Sequence, residues 1–361
     1  MGATTVPPVE RAAGSGGAST GGTGGTSGSA YAASGAAGSA GAAGSAGAAG
    51  NAGAAGNAGA AGSAGAAGSG GAGALPDYPG QPPAGKILWG AAVSGNGDPV
   101  VRHETPAGHA LAVRRTFYQW NQRTTALIKT ATDDLAHHRV PWVSVKTPSW
   151  AEMAAGDHDA EIDDMLKAID ALPGPVWLTI HHEPEGGGGV NAPDDPAGPS
   201  GHVAMNERVR QRMTALKVDN VALAPILMSW TWNPASGRDP EEWWKPGIYD
   251  FLGVDHYRDA EDTLLTATWA TVRSWAKGKG VDVAVGEWGM RGTDVAAGQR
   301  EEAWYDAAAG SDKDGQGARV VGLSAFDSSL NSPTGSWELK GEQLTTFWKL
   351  LNDPRTADVV P

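Results

Sequence analysis

Two carboxylates stand where apolar strands give out. The run from Val176 to Gly186 reads Val-Trp-Leu-Thr-Ile-His-His-Glu-Pro-Glu-Gly, and the run from Val283 to Gly289 reads Val-Ala-Val-Gly-Glu-Trp-Gly. Each presents an acid, Glu183 or Glu287, beside glycine and aromatic or imidazole side chains. A buried strand does not end on an acid unless the acid has a partner or a task. Two such acids, far apart in sequence, point to one shared site where strand ends meet. A carboxylate pair is what glycosidic bond cleavage needs: one acid protonates the leaving oxygen, and in the retaining version the other attacks the anomeric carbon. The first must hold its proton near neutral pH, and the second must stay ionised with hydrogen-bond donors around it.

Other polar residues narrow the chemistry. His182, Glu183, Asp255 and His256 could ligate a metal instead, but no ligand pair has zinc-site spacing such as His-Glu-x-x-His, so no metal is expected. His181 and His182 must point to opposite sides if the strand continues, which makes His181 a structural hydrogen-bonder. Glu185 reads as a loop acid, Glu241 and Glu242 as a solvated face, and His137 and His138 as partners of a helix C-terminus. With 15 Trp against 4 Phe and 6 Tyr, aromatic bulk alone does not explain the composition. Tryptophan combines a broad apolar face with an N–H, which suits stacking on sugar rings. The pair Trp243 and Trp244 is either such a platform or a lid over the core.

Eight apolar runs must position these residues: Ile87–Val93, Ala112–Tyr118, Trp142–Val145, Val176–Ile180, Val221–Met228, Phe251–Val254, Val283–Val285 and Val320–Ala325. Helical periodicity marks Thr125–His138, Asp159–Leu172, His202–Leu216, Thr263–Lys277, Ala296–Ala309 and Gly341–Leu351. Strand–helix alternation predicts an α/β fold with a parallel sheet, closed as a (β/α)8 TIM barrel; Gly95–His109 is irregular. Chemistry in such barrels sits at the C-terminal strand ends. Glu183 follows the fourth predicted strand and Glu287 the seventh. The same rim collects Tyr118, Trp120, Lys146, Trp230, Trp232, Asp255, His256, Tyr257, Phe326 and Asp327.

Composition sets the boundaries. Residues 1–84 read as a low-complexity, flexible tail and linker, and 85–361 as the barrel domain. From Gly35 to Gly71 glycine falls at every third position, the collagen period, but without proline; a flexible tether is the expectation. The net charge of −13 disfavours nucleic acid and anionic membranes and suits an uncharged partner. With no cysteine there is no disulfide, thiolate metal site or thiol nucleophile. No apolar run can span a bilayer, and the first residues lack the basic and apolar regions of a signal peptide. The expectation is a monomer, extracellular or tethered to a cell surface, needing no cofactor and acting on a polysaccharide or oligosaccharide.

The order of the motifs resembles the retaining glycoside hydrolases of clan A, and within it glycoside hydrolase family twenty-six, the β-mannanase family. The resemblance spans Ile87 to about Leu351 and rests on four places: Ala-Gly-Asp-His before the helix at Asp159, His182-Glu183 after the fourth strand, the run Tyr249 to Tyr257, and Val285 to Gly289. It implies Glu183 as general acid/base, Glu287 as nucleophile and His182 as a contact at the cleavage subsite. It also implies that Tyr257 donates its phenol O–H to Glu287, and that Trp288 or a fifth-strand tryptophan (Trp230, Trp232) floors a subsite. Trp120 and Lys146 complete the expected binding residues. Two departures leave the glycan open among mannan, β-glucan, xylan and an unusual bacterial exopolysaccharide: Thr179 stands where the family commonly carries an arginine, and a Pro184-Glu185-glycine loop replaces Met-Asn-Gly and a tryptophan. A barrel without activity that serves as a tethered carbohydrate-binding module and a metal-dependent barrel hydrolase are the alternative readings.

Overall fold

A computed structural model describes residues 78–186, 193–329 and 335–358. The expected tether, with its glycine repeat, and the glycines 187–189 lie outside the described residues. Nine parallel strands alternate with helices in a TIM-like α/β fold. They are β1 Leu88–Val93, β2 Val113–Tyr118, β3 Val140–Val145, β4 Val176–Ile180, β5 Val221–Leu223, β6 Ile226–Met228, β7 Phe251–Arg258, β8 Asp282–Met290 and β9 Val320–Asp327. The helices are α1 Thr105–Ala107, α2 Ala126–Ala136, α3 Trp150–Ala155, α4 Asp159–Asp170, α5 Gly198–Leu216, α6 Ala267–Lys279, α7 Val295–Ala309 and α8 Gly341–Leu351. None of the described helices is long and apolar enough to cross a membrane.

The sheet runs β5-β4-β3-β2-β1-β9-β8-β7-β6, and its two ends are consecutive pieces of one chain segment. Pro225 has no N–H to give to a ladder, so the predicted strand Val221–Met228 appears as two. That segment is nonetheless bonded on both sides. Ala224 N–H donates to Leu178 O at 3.0 Å and Glu183 N–H to Ile226 O at 2.8 Å; from the other side Asp250 N–H donates to Leu223 O and Gly253 N–H to Pro225 O, each at 2.9 Å.

Alternation along the strands divides two cores. Trp142, Trp177, Phe251 and Ala284 face inward, with Trp142 and Trp177 edge to face at 5.3 Å and Trp177 and Phe251 at 4.5 Å. Val143, Leu178, Val254 and Val285 face the helices. At the N-terminal end of the barrel, Tyr78 stacks on Phe251 at 5.3 Å and donates to Asp282 at 3.2 Å, and Gln81 donates to the same carboxylate at 2.8 Å. The folded unit therefore reaches back at least to Tyr78, inside the stretch expected to be linker.

Strands β7, β8 and β9 run past the predicted ends because the polar residues that follow the apolar runs stay paired. Polarity there marks the cleft, not the end of a strand. The irregular stretch after β1 contains two short helical turns and α1, and α3 is an element the periodicity does not predict.

Candidate active site

Arg115 on β2 is the centre of the inner face. It is fully buried, its guanidinium lies 4.0 Å from Glu287, and the charges of Glu287, Asp255 and Glu183 all act on it. Burial lowers the Arg115 pKa, and the three acids oppose that. The pair Glu183 and Glu287 also raises Asp255 and Tyr257 together. One electrostatic site thus contains both acids singled out from sequence.

Glu287 reaches that site through a bulge. In the β7–β8 ladder Val254 pairs with Val285, but Asp255 pairs with Glu287, so Gly286 is an extra residue. A Cβ on Gly286 would sit 2.8 Å from an Asp255 carboxylate oxygen and 2.8 Å from the Ile226 side chain, so any larger residue would push one of these side chains aside. The bulge turns Glu287 inward and Trp288 outward. Trp288 is 0 % exposed and stacks on Trp89 at 5.5 Å under the helices. It has no ring face to offer a sugar, which corrects the expectation of a subsite floor.

Tyr257 donates its O–H to Glu287 Oε2 at 2.6 Å, the bond expected from sequence. Burial raises the Glu287 pKa, while Arg115, the Tyr257 hydrogen bond and Lys146 work against that rise. Asp255 is buried, neither of its oxygens has a hydrogen-bond partner, and burial followed by Glu287 and Glu183 pushes it well above the carboxylate range. Three carboxyls around one cation cannot all ionise cheaply. Of the three, Asp255 is the least suited to carry charge, and Glu287, with a donor and a nearby guanidinium, is better suited.

Glu183 stands beyond the end of β4 on a turn. Its φ is 48° and that of His181 is 57°, both in the left-handed region. The turn closes with Gly186 N–H on Glu183 O at 3.1 Å. His182 packs its ring 5.3 Å from Phe117, and burial with the Arg115 and Lys146 charges holds it neutral. His181 is the structural hydrogen-bonder expected: Trp150 Nε1–H donates to its Nδ1 at 3.0 Å, and its Nε2 lies 2.9 Å from Asp194. Lys146 joins the same cluster, 2.7 Å from Asp194.

The remaining expected residues divide. Trp230 is 46 % exposed on the turn after β6, whereas Trp232 is buried against Trp275. Trp120 has His158 and Arg123 as its neighbours, not the acids. Tyr118 is buried in the outer core, and Trp243 and Trp244 are core residues packed on Trp150 and Tyr249. Asp255, His256 and His182 do not converge. His256 faces outward, bonded to Ser229 and to Leu264 O at 2.8 Å each and stacked on Trp269. Among the described residues no group of three His, Cys, Asp or Glu could hold a metal ion.

Two site residues escape the sequence reading. Arg115 has a signal in the doublet Arg114-Arg115 within a buried strand: alternation sends Arg114 out to Asp134 at 2.9 Å and Arg115 in. Trp337, between β9 and α8, packs 4.9 Å from Tyr257 with the Arg291 guanidinium 3.4 Å over its ring. Gly289 makes room for it, since a Cβ there would lie 2.6 Å from the indole. No periodicity could have found Trp337; it comes from a loop.

Neither a protein-family model nor a curated protein sequence matches the chain. Solved structures do. An endo-β-1,4-mannanase from Cellulomonas fimi is 16% identical, with 76% of this chain and 72% of that one covered at a TM-score of 0.52. The catalytic domain of a family 26 endo-β-1,4-mannanase from a Bacillus species is 16% identical over 76% and 88% of the two chains, with a TM-score of 0.53. The family 26 domain of an endo-β-mannanase/endo-β-glucanase from Prevotella bryantii is 12% identical over 77% and 93%, with a TM-score of 0.54. The chain shares the fold of family 26 glycoside hydrolases, as its motifs suggest.

Proposed function

We propose that this protein is a retaining glycoside hydrolase that cleaves within a β-linked polysaccharide. The observation that carries the reading is the Tyr257–Glu287 hydrogen bond in an inner site whose groups also respond to Glu183. Glu287 is the nucleophile: Tyr257 and Arg115 favour its ionised form. Glu183 is the general acid, giving its proton to the leaving oxygen as Glu287 attacks the anomeric carbon. Esterification then removes the Glu287 charge, which lowers the proton affinity of Glu183 and lets it act as base toward water. Trp337, packed beside Tyr257, is a candidate aromatic wall, and Trp230 is an outer platform. β-Mannan is the first substrate to test, because the structural relatives are named mannanases; β-glucan and xylan follow. The barrel acts as a monomer, and residues before Tyr78 tether it outside the cell or at its surface.

The test is reducing-sugar release from β-mannan, glucomannan, β-glucan and xylan by the wild type and by Glu287→Ala. Release by the wild type should collapse in the variant by at least about a thousandfold. Equal release by both proteins, or binding without release on every glycan bound, overturns the reading.

A further inference from the structure

The turn that carries Glu183 has an anchor of its own. Glu185, two residues on, is 2 % exposed although it reads as a loop acid. Its Oε1 accepts the Met228 N–H at 2.7 Å and the Thr231 O–H at 2.8 Å, where β6 ends and the Trp230 turn begins. Thr231 is itself buried. The same turn is also tied to that strand through Glu183 N–H, which donates to Ile226 O at 2.8 Å. A non-glycine residue in the left-handed region costs on the order of 1–2 kcal/mol, so the backbone of Glu183 relaxes unless its surroundings hold it.

We propose that Glu185 is a positioning residue, whose carboxyl clamps the Glu183 turn to the end of β6 and so fixes where the proton donor stands. This rests on the reading of Glu183 as acid/base. The clamp requires an acceptor, not a charge: both accepted bonds fall on one oxygen, and Oε2 has no hydrogen-bond partner. Burial raises the Glu185 pKa to about 7, consistent with a group that works with or without its proton. Glutamine can present its carbonyl in the same place; alanine cannot.

A misplaced acid has a kinetic signature that a loosened fold lacks. Departure of a polysaccharide chain needs proton donation, whereas dinitrophenolate leaves without it. The experiment uses the full chain, the first of β-mannan, β-glucan or xylan that the wild type cleaves, and the dinitrophenyl β-disaccharide of the same sugar. Glu185→Ala should lower kcat on the polysaccharide about 10–100-fold with KM within about twofold, and leave the dinitrophenolate burst rate within about threefold of wild type. Glu185→Gln should keep polysaccharide kcat within about fivefold. Thr231→Val, which removes one donor, should show the same leaving-group pattern with about a 3–10-fold loss, and it decides the matter if Glu185→Ala does not fold. Equal losses on both substrates, no loss in Glu185→Ala, or a glutamine variant as poor as alanine overturns the clamp while the hydrolase reading stands. A wild type inert on every glycan overturns both.

Discussion

The ends of β4 and β8 solve the same problem, placing a carboxylate at the mouth of a barrel, by opposite means. Glu287 is inside a strand. Its backbone is paired on both sides of the bulge, and its carboxylate meets Tyr257 and Arg115, both supplied by rigid strands. Glu183 is outside its strand, on a left-handed turn held by the Ile226 carbonyl and by Glu185. The difference matches two kinds of work. The nucleophile proposed here must be ionised when it attacks and held in one place, which buried strand neighbours favour. The acid/base proposed here must gain and lose a proton during each turnover, and Glu183 sits on a turn held by backbone bonds and by the Glu185 carboxyl.

The largest expected effect separates the two ends by rescue. Glu183→Ala and Glu287→Ala should each lose at least about a thousandfold on polysaccharide. With a dinitrophenyl glycoside and azide, Glu183→Ala should recover and form the β-glycosyl azide, because azide needs no base; Glu287→Ala should give no β-azide. Identical rescue of the two variants would show that the roles are not divided in this way.

A smaller effect sharpens the β8 side. Tyr257→Phe removes one hydrogen bond to a charged carboxylate, about 1.5–3 kcal/mol, so kcat should fall roughly 10–100-fold. The fall should appear on the dinitrophenyl substrate too, since it concerns attack and not protonation. A variant impaired only on polysaccharide would place Tyr257 with the acid instead.

A further effect, in stability and not in rate, concerns the β4 side. Burial raises Glu185 from 4.5 to about 7 in the folded protein. A raised carboxyl contributes stability that is fully present below the unfolded value and is lost as pH rises through the folded one. Thermal melts of the wild type should therefore lose roughly 2–3 kcal/mol relative to Glu185→Gln between pH 4.5 and pH 7, with little further divergence above. Parallel curves for the two proteins would mean that Glu185 is not buried as described.

By itself the sequence determines the strand–helix alternation, because apolar runs and helical periodicity are local, and it singles out Glu183 and Glu287 where apolar runs give out, while the pairing of Tyr257 with Glu287 is implied only by the family resemblance. The tertiary structure decides which way side chains face. Simple alternation groups Trp288 with Ala284 and Gly286, yet the single extra residue at Gly286 exchanges the faces of Glu287 and Trp288. A bulge is a property of two strands paired together, so one strand's pattern cannot announce it. Arg115 and Glu185 are ordinary charged residues in the sequence; only the folded chain shows one among three acids and the other bonded beneath the turn of Glu183. Burial and pairing are created by segments distant in the chain, and those two quantities set charge states at this site.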